Sequence, residues 1–320
     1  MSGYAQQFNL TLQRELREAA LVEAAFFGNL GRKLPSLNLS INQILPQVLG
    51  PQHHEQPDRP FPQFSDVILV APSFGVTNYY AGLFKLEKRL SGGLTLVSTY
   101  TWSKFLGNTN DSGNPGAGTL GAENGPYSNY YNRRADYGPV ENDIRHRFTL
   151  STVYELPFGR GRRWPTGGLG HIAGGWTIGI LATLQSGAPL TAITLTNTAR
   201  AFSAGYQRPD ALYDANLASG RRSLTRWFDT NAFSQPAAYT FGNEGVGIVR
   251  AYGVLNADVS LLRNFALTER VRLQLRGECF NALNHTNFDP PGTVFGSSLF
   301  GVVSSSKPAR QIQAGARLVF

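Results

Sequence analysis

The 320-residue chain carries 29 Lys and Arg against 21 Asp and Glu, a formal charge of +8 at pH 7, yet only 16% of its residues are charged. Aromatic residues reach 12%, and 35 Gly with 18 Pro supply turns, a balance poor in helix formers and rich in strand and turn formers. An all-β protein is expected.

Several classes drop out at once. No run approaches the roughly 18 apolar residues of a membrane helix, the nearest, Ala19 to Leu30, being short and interrupted by Glu23. The opening MSGYAQQFNL has neither a basic nor an apolar signal-peptide region. Cys279 stands alone, so no internal disulfide or cysteine-rich metal site is expected. The basic residues are scattered in pairs, such as Arg162-Arg163 and Arg221-Arg222, rather than gathered on one helix, so nucleic acid is not an expected partner.

In chain order, Gln6 to Leu16 alternates, with Phe8, Leu10 and Leu12 opposite Gln7, Asn9, Thr11 and Gln13, and Ala20 to Asn29 reads as a second strand. Gly31 to Thr77 is proline-rich and contains QHHEQPDRP, a loop. Asn78 to Leu90 and Gly93 to Lys104 form a hairpin around Ser91 and Gly92-Gly93. Phe105 to Asp143 is a second long loop. Strands follow at Arg147 to Leu156 and Gly175 to Gln185, joined by a connector containing PFGRGRRW, which lacks the glycine, lysine and helix context of a phosphate-binding loop. Ser186 to Tyr252 is the longest insert, polar with scattered aromatics and short strands of its own. Gly253 to Phe265 and Glu269 to Asn281 are closely coupled strands, and after a loop to Ala309 the chain closes on Arg310 to Phe320, where Ile312, Ala314, Ala316, Leu318 and Phe320 share one face.

These strands number about nine, and short and long connections alternate between them, as they do between the two rims of a transmembrane barrel. Aromatics sort to both ends of the apolar faces: Tyr100, Trp102 and Phe148 toward the long loops, Tyr154, Trp176, Phe265 and Phe320 toward the short turns. The opposite faces hold Asp258, Arg272, Arg276 and Glu278, which are too costly against hydrocarbon and are expected to line a wet or plugged lumen. The expectation is an antiparallel transmembrane β-barrel with long extracellular loops. Nine is odd, whereas single-chain bacterial barrels have an even count, so an incomplete barrel, the C-terminal portion of a larger one, is expected.

The blocks between the strands carry a resemblance. They are YTWSK (Tyr100 to Lys104), DYG (Asp136 to Gly138), DIRHRF (Asp143 to Phe148), YELPFG (Tyr154 to Gly159), Gly174 to Trp176, Ser186-Gly187, Arg208-Pro209-Asp210, WFDTNAF (Trp227 to Phe233), Phe241 to Asn243, ECFNALNHTNF (Glu278 to Phe288), Phe300-Gly301 and PARQIQAGARLVF (Pro308 to Phe320). Together they span almost the whole chain, which resembles the C-terminal barrel part of TonB-dependent outer-membrane receptors, most closely the Oar-like group with a carboxypeptidase-regulatory-like domain. The resemblance implies energised uptake of a bulky solute through a barrel of about 22 strands. It implies location in the outer membrane, contact with lipid and lipopolysaccharide, insertion by the barrel assembly machinery through a C-terminal signature of Ile312, Leu318 and Phe320, and coupling to TonB through a plug and N-terminal domains absent from residues 1 to 320.

Among candidate sites, Tyr127, Tyr130 and Tyr131 with Arg133 and Arg134 could stack on a sugar or chelate ring and pair anions, the leading ligand-binding candidate. His53-His54 with Glu55 and Asp58 matches no metal motif and reads as a solvated loop, so no metal or cofactor is expected. Asp143, Arg145, His146 and Arg147 read as a polar network at the rim of the fifth strand, and Asn281, Asn284 and Asn287 as turn formers. No Ser/His/Asp spacing is present, so catalysis is not expected; Asp136, Glu141 and Asp143 form the one carboxylate group a β-rich hydrolase could use. The competing reading is a secreted all-β adhesin or carbohydrate-binding protein whose apolar faces form a soluble core.

Overall fold

The computed structural model describes residues 2–16, 19–36, 39–108, 127–158, 174–201 and 207–320. Its framework is one antiparallel sheet of long strands: β1 (Tyr4–Leu16), β2 (Ala20–Leu34), β3 (Gly75–Ser91), β4 (Leu94–Gly107), β5 (His146–Glu155), β6 (Trp176–Gln185), β7 (Val254–Ala266), β8 (Arg272–Phe280) and β9 (Gln311–Val319). Each strand pairs with its neighbour in sequence, from β1 at one edge to β9 at the other, and Gly138–Pro139 adds a short pairing to the end of β4. Among the described residues the sheet does not close on itself.

Local chemistry sets the strand ends. Gly92 and Gly93, at φ of 61° and 81°, make the tight β3–β4 turn in a conformation that side chains disfavour. The β7–β8 turn is closed by the Thr268 hydroxyl, which accepts the N–H groups of Arg270 and Val271; β8 therefore starts at Arg272, later than the alternation from Glu269 suggests. On the other rim β2 runs on to Leu34, beyond Asn29, because β3 continues to pair with it across an irregularity between Arg32 and Leu34.

The register carries one pair of faces across the whole sheet. Phe8 pairs with Gly28, Phe26 with Gly82, Phe84 with Tyr100, Tyr100 with Phe148, Leu150 with Ala182, Ile180 with Val259, Leu261 with Gly277 and Leu273 with Leu318. These form an apolar face, and Phe8, Phe26 and Tyr80 cluster on it with centroids 6.2–6.5 Å apart. All six carboxylates of the long strands, Glu15, Glu23, Glu87, Glu155, Asp258 and Glu278, fall on the opposite face. Basic groups on the apolar face stand only near its ends: Arg14, Lys88 and Arg263 toward the short turns, Arg32, Lys104 and His146 toward the long loops. Charge near hydrocarbon is tolerated where a long side chain can reach the interface, and the central band holds none.

The buried core is elsewhere. Of the buried hydrophobic side chains, only Ala25 and Ala81 belong to the long strands; large apolar residues of the apolar face, among them Trp102, Ile312 and Phe320, are 64%, 76% and 90% exposed. The loops between β2 and β3, β4 and β5, β6 and β7, and β8 and β9 fold together at one rim. Their pairings include Pro189–Leu190 with Val249–Arg250, Ile193–Thr194 with Val294–Phe295, and Asp210–Ala211 with Phe233–Ser234.

Candidate functional site

The loop assembly is built around WFDTNAF. Phe228, Phe233 and Phe300 meet edge to face at 5.1–5.7 Å, with Leu190, Val249 and Val303 in the same core. Trp227 packs 4.5 Å from the Tyr252 ring, and its indole N–H donates to the Arg250 carbonyl at 2.7 Å. Asp229 caps the turn that follows by accepting the Asn231 N–H at 3.2 Å, and Arg226 donates to the same carboxylate at 2.7 Å.

Two ion pairs, one buried and one half-buried, sew the β4–β5 loop to the β6–β7 loop. The Arg208 guanidinium reaches Asp136 at 2.5 Å and also donates to the Glu244 carbonyl at 2.8 Å and the Ala135 carbonyl at 3.1 Å. Asp136 and Arg208 are 4% and 6% exposed, so each charge depends on the other for its solvation. Asp143 pairs with Arg250 and accepts the Phe105 N–H at 2.6 Å. The blocks DYG, DIRHRF and RPD thus meet as complementary charges. Gly242 permits the close approach: a Cβ there would stand 1.9 Å from the Arg208 carbonyl oxygen.

Glu244 is buried against the same network. One carboxyl oxygen accepts the Ala192 N–H at 2.9 Å, and the other has no hydrogen-bond partner among the described residues. Burial pushes this carboxyl up to about 8, against the smaller opposing pulls of the Ala192 N–H and the Arg208 charge.

The sequence-derived candidates divide in this frame. Tyr127 is 1% exposed, and burial pushes its phenol up to about 12; it packs the loop interior instead of offering a ring to a solute, which corrects its assignment. Arg133 lays its guanidinium 4.2 Å over the Phe74 ring and donates to the Tyr130 carbonyl, so it fastens one loop to another. Tyr130 and Tyr131 meet edge to face at 5.1 Å, and Gln43 holds both, accepting the Tyr131 hydroxyl on its carbonyl and the Tyr130 N–H on its side chain. Tyr131 and Arg134 are the members of the group with exposed side chains.

Asp136 and Asp143 are consumed by their arginines, while Glu141 is exposed, so the three carboxylates do not converge. His53 faces the Gly50 and Arg200 carbonyls, and Asp58 accepts the His54 N–H. Asn281 and Asn284 adopt left-handed φ of 49° and 51°, and Asn287 bridges both backbone groups of Leu255, as turn formers do. Asp258, Arg276 and Glu278 lie on the carboxylate-bearing face: Asp258 accepts from Asn256 and from the Asn281 N–H, and Glu278 pairs with Arg276 and Gln313. Arg272 is exposed on that face, and Ile312, Leu318 and Phe320 are exposed in the apolar phase. The connector containing PFGRGRRW lies, from residue 159 to 173, outside the described residues.

The sequence reading quoted Arg208 only as part of a family block, without a role, and did not single out Arg250, Glu244 or Gln43. Opposite charges in successive long loops were the available signal for the first two.

Comparison with known proteins adds three findings. Residues 1–313 match the model of a family described as outer membrane beta barrel domain. Among solved structures, the outer membrane transporter YddB from Escherichia coli matches with a TM-score of 0.50 at 10% identity, over 99% of this chain and 32% of YddB. The ferric-catecholate import receptor Fiu from E. coli K12 (closed form) matches at 0.44 and 11%, over 99% of this chain and 27% of Fiu. The pyoverdine outer membrane receptor FpvA from Pseudomonas aeruginosa PAO1 matches at 0.44 and 11%, over 99% and 30%. The chain therefore spans about a third or less of these structures. No curated protein sequence matches it.

Proposed function

Because the chain belongs to the outer membrane beta barrel domain family and hence to the outer membrane, we propose that it forms the C-terminal barrel part of a TonB-dependent receptor of the Oar-like group that takes up a bulky chelate, glycan or peptide. The observation that carries this reading is the polarity of the molecule: at one rim the β6–β7 and β8–β9 loops share a packed core, to which hydrogen bonds and ion pairs join the β2–β3 and β4–β5 loops, while the short β3–β4 and β7–β8 turns lie at the other. In this reading the loop rim is extracellular, the carboxylate-bearing face lines the lumen, and acyl chains solvate the apolar face. TonB acts through N-terminal parts of the receptor. Ile312, Leu318 and Phe320 present the insertion signature to the barrel assembly machinery, and the exposed Tyr131 ring and Arg134 guanidinium contact the solute.

Single cysteines in a Cys279→Ala background test the orientation. A membrane-impermeant maleimide added to intact cells is expected to label Leu299→Cys in the β8–β9 loop and to spare Thr268→Cys in the β7–β8 turn. The reverse pattern, or recovery of the protein as a detergent-free soluble monomer, overturns the proposal.

A further inference from the structure

On the carboxylate-bearing face, the side chains change character where β1, β2 and β3 approach the loop rim. Gln7 stands opposite Asn29, Asn29 opposite Tyr79 and Tyr79 opposite Phe105, one row across four strands. Asn9 opposite Phe27 starts the next row, about 7 Å farther from the rim. Gln7, Asn9, Asn29, Phe27 and Tyr79 line a hollow of about 480 Å³, the size of a small-ligand site. Phe105 meets the Tyr79 ring edge to face at 5.6 Å and fixes its plane.

Two properties set this hollow apart from the rest of the face. It carries no charge: Phe8 and Gly28, the other lining positions, are apolar, and neither a carboxylate nor a basic group joins them. Charges farther from the rim are already engaged, Glu23 accepting from Gln13 at 2.7 Å and Glu87 pairing with Lys85 at 2.7 Å. The amides of the hollow are also unspent. Gln13, Gln274 and Gln313 on the same face donate to Glu23, Asn264 and Glu278, whereas the side chains of Gln7, Asn9 and Asn29 have no hydrogen-bond partner among the described residues. Each amide offers two donors and an acceptor, and the half-buried rings offer flat apolar faces, so the ligand that satisfies both presents hydroxyls and C–H faces without charge. An anionic chelate finds no cation here. An extended peptide is drawn to the open backbone edge of β1 rather than to its face.

We propose that Gln7, Asn9 and Asn29, with the Phe27 and Tyr79 rings, form a binding site for a sugar unit of a neutral glycan. The proposal rests on the reading that this face lines the path of the solute, and it narrows that solute to an uncharged carbohydrate.

The test titrates fluorescently labelled neutral hexasaccharides of glucose, xylose and mannose into protein purified from outer membranes in a sugar-free zwitterionic detergent, with polarisation as the readout. At least one is expected to bind, with an affinity that changes less than about twofold between low and high ionic strength. Gln7→Leu/Asn29→Leu is expected to weaken it about 25-fold, about fivefold for each neutral hydrogen bond lost. Tyr79→Leu is expected to cost about fivefold and Tyr79→Phe, which keeps the ring, nothing measurable. Gln7→Leu alone, at an exposed position of the edge strand, guards against misfolding and is expected to cost about fivefold. Gln274→Leu, on the same face but away from the hollow, is expected to bind in full. Binding of none of these glycans, salt-sensitive binding, unchanged binding in the double variant, equal loss in Gln274→Leu, or a neutral Gly-Ser hexapeptide held as tightly by the same residues overturns the site. Maleimide labelling of Leu299→Cys on intact cells separates the two ideas: labelling from outside without glycan binding defeats the site and spares the orientation, whereas glycan binding without labelling defeats the orientation and keeps the site.

Discussion

The sheet and the loop assembly are opposite solutions to the same problem of placing apolar surface. In the sheet the large hydrophobic side chains point outward and almost nothing is buried, whereas the loops, usually the polar part of a protein, hold the aromatic core. A soluble β-protein would reverse this, hiding a sheet face beneath connections that need no core of their own. The difference teaches that the two regions meet different solvents, and that the loop assembly has its own source of stability, the Phe228 cluster and the Asp136–Arg208 and Asp143–Arg250 ion pairs.

That contrast can be broken in either region separately. The largest effects are expected in the loops. Phe228→Ala should cost the assembly about 3–5 kcal/mol, and Asp136→Ala, which strands the buried Arg208 charge, a similar amount. Limited proteolysis should then cut the loops while the membrane-embedded strands stay protected; equal loss of both regions would show that they are one cooperative unit.

Next in size, Ile180→Arg places a charge in the middle of the apolar face and is expected to destabilise the barrel by about 2–4 kcal/mol in urea titration from bilayers. Ser151→Arg, on the carboxylate-bearing face, should change it by less than about 1 kcal/mol. Equal costs would mean that the two faces do not differ in solvent.

A smaller effect is pH-dependent. Glu244 keeps its proton in the folded loops up to about 8, while in the unfolded chain it ionises near the ordinary carboxylate value of 4.5. Its contribution is therefore fully present below about 4.5 and is lost as pH rises through about 8. Amide exchange at Ala192, corrected for intrinsic rate, should quicken over that window, and Glu244→Gln should flatten the dependence while keeping the Ala192 hydrogen bond. The smallest effect is expected from Tyr131→Ala, whose ring is 40% exposed and which gives up one neutral hydrogen bond, to the Gln43 carbonyl: loop stability should shift by about 1 kcal/mol, so a much larger change in solute capture would be attributable to the ring itself.

The amino-acid sequence by itself determined the strands and their faces, because a period of two is local information: Phe148, Leu150, Thr152 and Tyr154 share a side whatever lies across from them. The turn chemistry of Gly92-Gly93 and of the Asn281 to Asn287 segment was equally local. Where the strands end was less legible, since the extension of β2 to Leu34 depends on its pairing with β3. Only the tertiary structure decided what the long loops do. They have no period, and their stabilising pairs, Asp136 with Arg208 and Asp143 with Arg250, lie 72 and 107 residues apart. The same long-range packing buried Tyr127 and left Tyr131 at the surface, although both were aromatic residues in one polar stretch. Burial in a loop depends on which distant segment covers it, and no short stretch of sequence encodes that.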